Sequence, residues 1–299
     1  MGTKTANKIK DQSISNIVFS VLNVTFMLAV CAAVLFPMLN VLSVSLSSDT
    51  YVYSGDVTFF PRGLQFDSYK VVLKAASIWR AFLNSIFVAG FSCIFSLIFT
   101  SLASYPLAFC EFRGKKIYTF MIIFTMWFSG GIIPSYLVMQ NLHLVDSLWA
   151  LIIGPLIGAY NVIILRSFYK SIPVSLVESA YIDGANEFKI LLKIITPLSK
   201  AALATIALWI IVGRWNDFMG PVIYLRDNNK YTLQVVLRDI VLTASGRVYG
   251  VSGTDGAEQF LPEQMRNATI MFAMTPMLLI YPFLQKYFVK GVMLGSIKE

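Results

Sequence analysis

Six runs of predominantly apolar residues, each long enough to cross a bilayer as a helix, recur along this chain. A spanning helix needs ~20 such residues, and the helix form is required because lipid offers no partner to an unpaired backbone group. The runs are residues 17–46, 82–109, 117–140, 148–169, 201–225 and 268–289. Only 13% of the residues are charged, about half the ~25% usual in a soluble domain. Too few charged side chains remain to cover a water-facing surface. The pattern predicts an all-α, polytopic membrane protein with six transmembrane helices. It excludes an ordinary soluble enzyme, and it excludes disorder, which requires low hydrophobicity.

The organisation follows from where these runs fall. Residues 1–16 form a polar N-terminal segment, 17–289 the transmembrane domain and 290–299 a C-terminal tail. Residues 47–81 and 226–267 are long connections on one side, and residues 170–200 a polar connection on the other. The first run exceeds what a bilayer needs and is too long for a cleaved signal peptide. Six spans put both termini on one side. With the N-terminus inside, the inner segments and the inner ends of the runs hold 14 of the 24 basic residues and the outer segments nine. The short inner loop Glu111–Lys116 has three basic residues among its six. Lys and Arg collect in cytoplasmic loops, so the bias predicts both ends inside. The net charge of +8 reflects the same asymmetry, not nucleic-acid binding, since no basic patch with interleaved aromatics is present. Lipid is the expected surrounding, and a cell membrane the expected location.

Several chemistries are absent. The three cysteines, Cys31, Cys93 and Cys110, lie in or beside apolar runs and are odd in number, which argues against a disulfide framework. His143 is the only histidine, so no metal site is expected. No phosphate-binding GxxxxGK[ST], no G-x-S-x-G and no H-E-x-x-H occurs. The expectation is a chain that is not an enzyme and holds no cofactor. Any energy for transport must come from an ion gradient or from another polypeptide. A stand-alone ion-coupled carrier is the alternative reading, and it calls for ionisable residues at the midplane and inverted repeats. Neither is seen: the interiors of the runs hold only Arg214 and Asp217, three apart and able to pair. They read as an ion pair near the outer end of the fifth run or facing a water-filled pathway. Gly154 and Gly158, and the stripe Ser92, Ser96, Thr100, read as faces where helices pack closely.

The most informative stretch is Arg166–Leu203. Pro173 stops one helix and starts another. Ser175, three residues before Glu178, reads as a capping box that opens a short helix, with Val177, Ala180 and Tyr181 on one side. Asp183-Gly184 makes a turn. A second helix follows, with Phe188, Leu191, Leu192 and Ile195 apolar, and Pro197 breaks or kinks it. The sequence thus predicts a small helix–turn–helix bracket. Pattern alone leaves open whether it docks into a partner or rests on lipid.

Here the residues also resemble a known family. Glu178-Ser179-Ala180-x-x-Asp183-Gly184-Ala185, followed by Ile194-x-x-Pro197-Leu198, resembles the EAA motif of ABC importer permeases. Ser179 departs from the usual alanine, and Ala201 stands where many relatives have a second proline. Asn84-Ser85, Trp215-Asn216-Asp217-Phe218 with Pro221, and Val289-Lys290-Gly291-Val292-x-x-Gly295 resemble carbohydrate-uptake permeases of the MalG-like type. The stretch around Thr232–Ala244 is similar to the LplC and alginate-permease subgroup. The resemblance covers the chain from about residue 17 onward.

The resemblance implies the type I ABC importer fold and an oligosaccharide cargo, or a polysaccharide fragment in the nearest subgroup. It implies a second homologous permease subunit, two copies of a cytosolic ATPase that bind the ATP and Mg, and an extracellular sugar-binding protein. Glu178, Ser179, Ala180, Asp183, Gly184, Ala185 and Pro197 would form the ATPase-coupling element. Asn84, Tyr105, Trp127, Tyr136, Asn161, Trp215 and Asn216 are candidates for the sugar path, since sugars bind to aromatic faces and amide side chains. A bacterial source fits the resemblance.

Overall fold

The computed structural model describes residues 14–242 and 263–295. Most of the expected N-terminal segment, residues 243–262 of the second long connection and residues 296–299 of the tail lie outside the described residues. Helices are the only extended regular elements among the described residues. They are α1 (Ile14–Ser45), α2 (Asp49–Tyr53), α3 (Asp67–Lys74), α4 (Ala76–Phe109), α5 (Lys115–Trp127), α6 (Ile132–Asn141) and α7 (Leu148–Ile153). Then follow α8 (Ala159–Lys170), α9 (Val174–Ile182), α10 (Glu187–Leu198), α11 (Lys200–Trp215), α12 (Met219–Tyr224), α13 (Leu233–Leu242) and α14 (Glu263–Gly295).

The described helices include two that are long and apolar enough to cross a membrane, Asn16–Ser45 and Ala76–Phe109. Two bent pairs, α5 with α6 at 115° and α10 with α11 at 83°, raise the number to four if each is one span. Three of the six apolar runs are interrupted within their bounds. The third run is folded back at the Ser129-Gly130-Gly131 junction. The fourth is interrupted between α7 and α8, where Pro155 removes a backbone donor. The fifth stops at Trp215 and resumes at Met219. Broken helices are tolerated in lipid where their free backbone groups are buried in protein or line a water-filled cavity.

The chain forms two compact units. One comprises residues 1–69 with 262–271. Here the expected polar connection is a folded cap on the end of α1. Asn40 donates to the Thr58 carbonyl at 3.0 Å and Ser43 to the Phe59 carbonyl at 2.6 Å. The backbone pairs Ser48 to Arg62 and Gln65 to Leu46 close the cap, over a small core of Val44, Val52 and Val57. The outer surface of α1 exposes Phe19, Leu22, Phe26 and Leu28, as a helix facing lipid would.

The other unit, residues 70–261 with 272–299, is organised around α4, against which α7, α8, α11 and α13 pack. Ser85, Ala89, Ser92, Ser96, Thr100 and Ser104 recur at three- and four-residue steps on one buried face of α4. Small side chains let the neighbouring backbones approach. Ser104 donates to the Val162 carbonyl of α8 at 3.1 Å, and the Ser85 hydroxyl accepts from the Leu233 amide at 2.8 Å. Ser85 and Ser104, on either side of the expected Ser92, Ser96, Thr100 stripe, thus join α4 to its neighbours within the chain. The Gly154/Gly158 pair is not a face of one helix, because it brackets the break. Gly154 still serves close packing: a Cβ there would meet the Ala150 carbonyl oxygen at 3.0 Å and Met139 Cε at 3.2 Å.

Candidate functional site

Two regions carry the residues singled out in the sequence. The first is the bracket from Pro173 to Ser199. Helix α9 starts with Pro173 at its cap position and no side-chain cap. Ser175 is already inside the helix, and its carbonyl accepts from the Ser179 hydroxyl at 2.8 Å. The expected capping box is therefore absent, because the proline-set turn starts the helix earlier. Glu178 and Ser179 are exposed on α9, while Val177 and Ala180 face the core.

The end of α9 explains the spacing of the motif. Gly184 has φ +74°. Its N–H donates to the Tyr181 carbonyl, and the Ala185 N–H reaches back to Ala180 at 2.9 Å. These are the two hydrogen bonds of a Schellman termination, with Gly at the left-handed position. Ala180 and Ala185 are the residues that such a turn brings together, and both pack on one apolar cluster. Asp183 occupies the C-cap and is exposed. Helix α10 then opens with the Asn186 side chain accepting from the Lys189 N–H at 2.9 Å. Its second half widens to a π-turn at Leu191–Ile195 before Thr196–Leu198. Pro197 lacks the N–H a continuing α-helix would use there, and the chain bends 83° around Ser199.

Glu187 was not singled out by the sequence, yet it ties the bracket together. One carboxylate oxygen accepts from the Tyr105 hydroxyl on α4 and the other from the Tyr181 hydroxyl on α9, both at 2.5 Å. The carboxylate raises the Tyr181 phenol above its ordinary pKa, because the hydrogen bond favours the protonated form. No local pattern could have revealed this, since Tyr105 lies 82 residues away in the chain. Ile190, Leu191 and Ile195 complete the inner face of the bracket, buried with Leu165, Tyr169 and Ile206. The outer face leaves Ile182 87% and Phe188 66% exposed.

The second region lies where the break between α7 and α8 meets the break between α11 and α12. A cavity of ≈ 440 Å³ is lined by Asn161, Tyr160, Trp209, Ser92, Ser96 and Arg214, among others. A neighbouring cavity of ≈ 390 Å³ is lined by Met139, Gly154, Asp217, Tyr224 and again Arg214. Arg214 and Asp217 pair at 3.4 Å, each side chain about one quarter exposed. The second Asp217 oxygen accepts from the Gly220 N–H at 3.0 Å. The pair thus stands between two cavities.

The candidate sugar-path residues are dispersed. Asn161 lines the larger cavity. Asn84 donates to the Asn229 and Tyr231 carbonyls at 2.9 and 3.0 Å, anchoring the chain after α12. Tyr105 belongs to the bracket network. The Trp215 indole is 4% exposed and donates to the Ala273 carbonyl at 3.3 Å. Asn216 donates to its own helix at Val212. Trp127 stands exposed at the end of α5. Tyr136 stacks on Tyr224 and accepts from Arg226 at 2.8 Å.

A further charged cluster also went unread in the sequence. Asp146, at φ +61°, accepts from the Arg226 and Asp227 amides at 3.0 Å and from Lys230 Nζ at 2.7 Å. The Lys230 ammonium, then the two amides, hold its carboxyl well below the usual carboxylate range. With Asn84, this clamp fixes residues 225–231 against α4 and the turn before α7.

Residues 75–293 match the family described as the binding-protein-dependent transport system inner membrane component, and the chain belongs to it. It is therefore a permease subunit of an ABC importer, which sets aside the stand-alone carrier. The chain is 39% identical to the polygalacturonan/rhamnogalacturonan transport system permease protein YtcP of Bacillus subtilis, covering 95% of this chain and 99% of that one. It is 37% identical to the protein LplC of the same organism, covering 94% and 95%. Among solved structures, it superposes with a TM-score of 0.85 on a chain of a bacterial ABC transporter involved in the import of the acidic polysaccharide alginate. That match has 33% identity and covers 92% of this chain and 98% of that chain. The fold is thus that of a type I importer permease.

Proposed function

We propose that this chain crosses the membrane six times with both ends inside and carries an oligosaccharide or polysaccharide fragment handed over by an external binding protein. It works beside a second permease and is driven by a separate pair of ATPase subunits that hold the ATP and Mg. The names of the relatives support a saccharide cargo, and the charge bias of the loops supports the orientation.

The observation that carries the reading is the bracket. Its inner face is locked into the core while Ile182 and Phe188 on its outer face are left open. Such a body transmits force without bending and offers an apolar knob to a partner. Glu178 is exposed beside that knob and would meet basic or polar groups of the ATPase. ATP-driven closure of the ATPase pair then shifts the permease between its two states through contacts that differ between them.

Purifying this chain from its native membrane in mild detergent should bring down a second permease and an ATPase in fixed ratio. Recovery of the chain alone across several detergents would contradict the reading.

A further inference from the structure

The larger cavity has features that simple helix packing does not require. Its wall holds Ser92 and Ser96 of α4. Arg214 brings a guanidinium with five donors, and among the described residues it makes the long 3.4 Å approach to Asp217. A cation in an apolar helix is costly and is kept where it faces a cavity with work to do. The 12-residue helix α8 begins at the cavity without a side-chain cap, and a helix N-terminus favours negative charge. Tyr160 and Trp209 form an aromatic pair with centroids 5.5 Å apart, and both line the same space. The volume of ≈ 440 Å³ lies within the ~300–1,000 Å³ range of small-ligand pockets.

The geometry points to a subsite for one acidic sugar residue, a hexuronate, of the passing chain. This deepens the saccharide-import reading and rests on it. Arg214 takes the carboxylate, for which its planar fork is suited. The Tyr160–Trp209 pair receives the apolar face of the ring. The Asn161 amide and the Ser96 hydroxyl serve the sugar hydroxyls. Asp217, fixed by the Gly220 N–H, keeps the local charge near balance. The carboxylate is then attracted without being trapped, as passage through a path requires.

The test uses the whole importer in proteoliposomes with its binding protein. Uptake of a defined oligogalacturonate is compared with uptake of its neutral methyl ester. Asn161→Asp places a competing carboxylate in the cavity, and Arg214→Gln removes the cation. Each should lower oligogalacturonate uptake at least tenfold and the ester far less. Asn161→Asp keeps the test valid if Arg214→Gln does not assemble. Oligogalacturonate uptake at the wild-type rate in Asn161→Asp would overturn the subsite, as would equal losses for acid and ester. A wild-type importer that takes up neutral oligosaccharides but not the oligogalacturonate would overturn the subsite alone, and one that takes up no saccharide its binding protein holds would overturn the saccharide reading with it. Normal acid uptake in the variants would overturn the subsite alone.

Discussion

Gly184→Val is expected to uncouple ATP hydrolysis from transport while Gly184→Asn largely retains coupling. The reason is confined to the backbone. Gly184 sits at φ +74°, and a Cβ added there meets no atom within 4 Å. Space is therefore not the obstacle. A β-branched residue in the left-handed region costs ~1–3 kcal/mol, whereas Asn visits that region readily. A cost near ~2 kcal/mol lowers the ratio of formed to open turn roughly 30-fold. The Schellman bonds from Gly184 and Ala185 would then open, and the angle between α9 and α10 with them. In reconstituted importer, ATP hydrolysis stimulated by the loaded binding protein should fall at least tenfold for Val and roughly twofold for Asn. Equal behaviour of the two variants would show that the left-handed turn does not matter.

Glu187→Ala should loosen the bracket from α4. The substitution leaves two phenols without their acceptor, and Tyr105 is only 4% exposed. Hydrogen bonds to a charged group contribute ~1.5–3 kcal/mol each when buried. Glu187 itself is exposed, so a total near ~2 kcal/mol is the reasonable expectation. Limited proteolysis of the assembled importer should show faster cleavage within residues 171–199, with Glu187→Gln intermediate because it keeps one acceptor oxygen. A double-mutant cycle with Tyr105→Phe should be strongly non-additive, since both changes break the same bond. Simple additivity would remove Glu187 from its linking role.

What could be read from the sequence divides by range. The bracket was legible because its determinants are local: Pro173, the Asp183-Gly184 turn and Pro197 each act within a few residues. The one local misreading, Ser175 as a cap, arose because Pro173 begins the helix two residues earlier than a capping serine would. The breaks in the fourth and fifth runs had a signal that apolar composition concealed. Pro155 between two glycines, and the polar Asn216-Asp217 before Gly220-Pro221, both interrupt a helix, yet hydropathy stays high across them. The folded cap of residues 46–69 and the Asp146 clamp were not legible. Their bonds join segments 14 to 84 residues apart, and nothing in the spacing of a polar loop marks which groups will meet. Arg214 and Asp217 were legible as a pair, but that they stand between two cavities follows only from the meeting of two helix breaks.

The most direct test of the account is the ATPase rate of the purified importer, with and without loaded binding protein, for wild type and Glu178→Lys. Glu178 is exposed on α9, so the change should leave the fold of this chain intact and alter only what the bracket meets. The account predicts that stimulation by the binding protein is lost in Glu178→Lys, with the ATPase bound weakly or not at all. Undiminished stimulation and a fully retained ATPase would contradict the claim that this bracket is the coupling element.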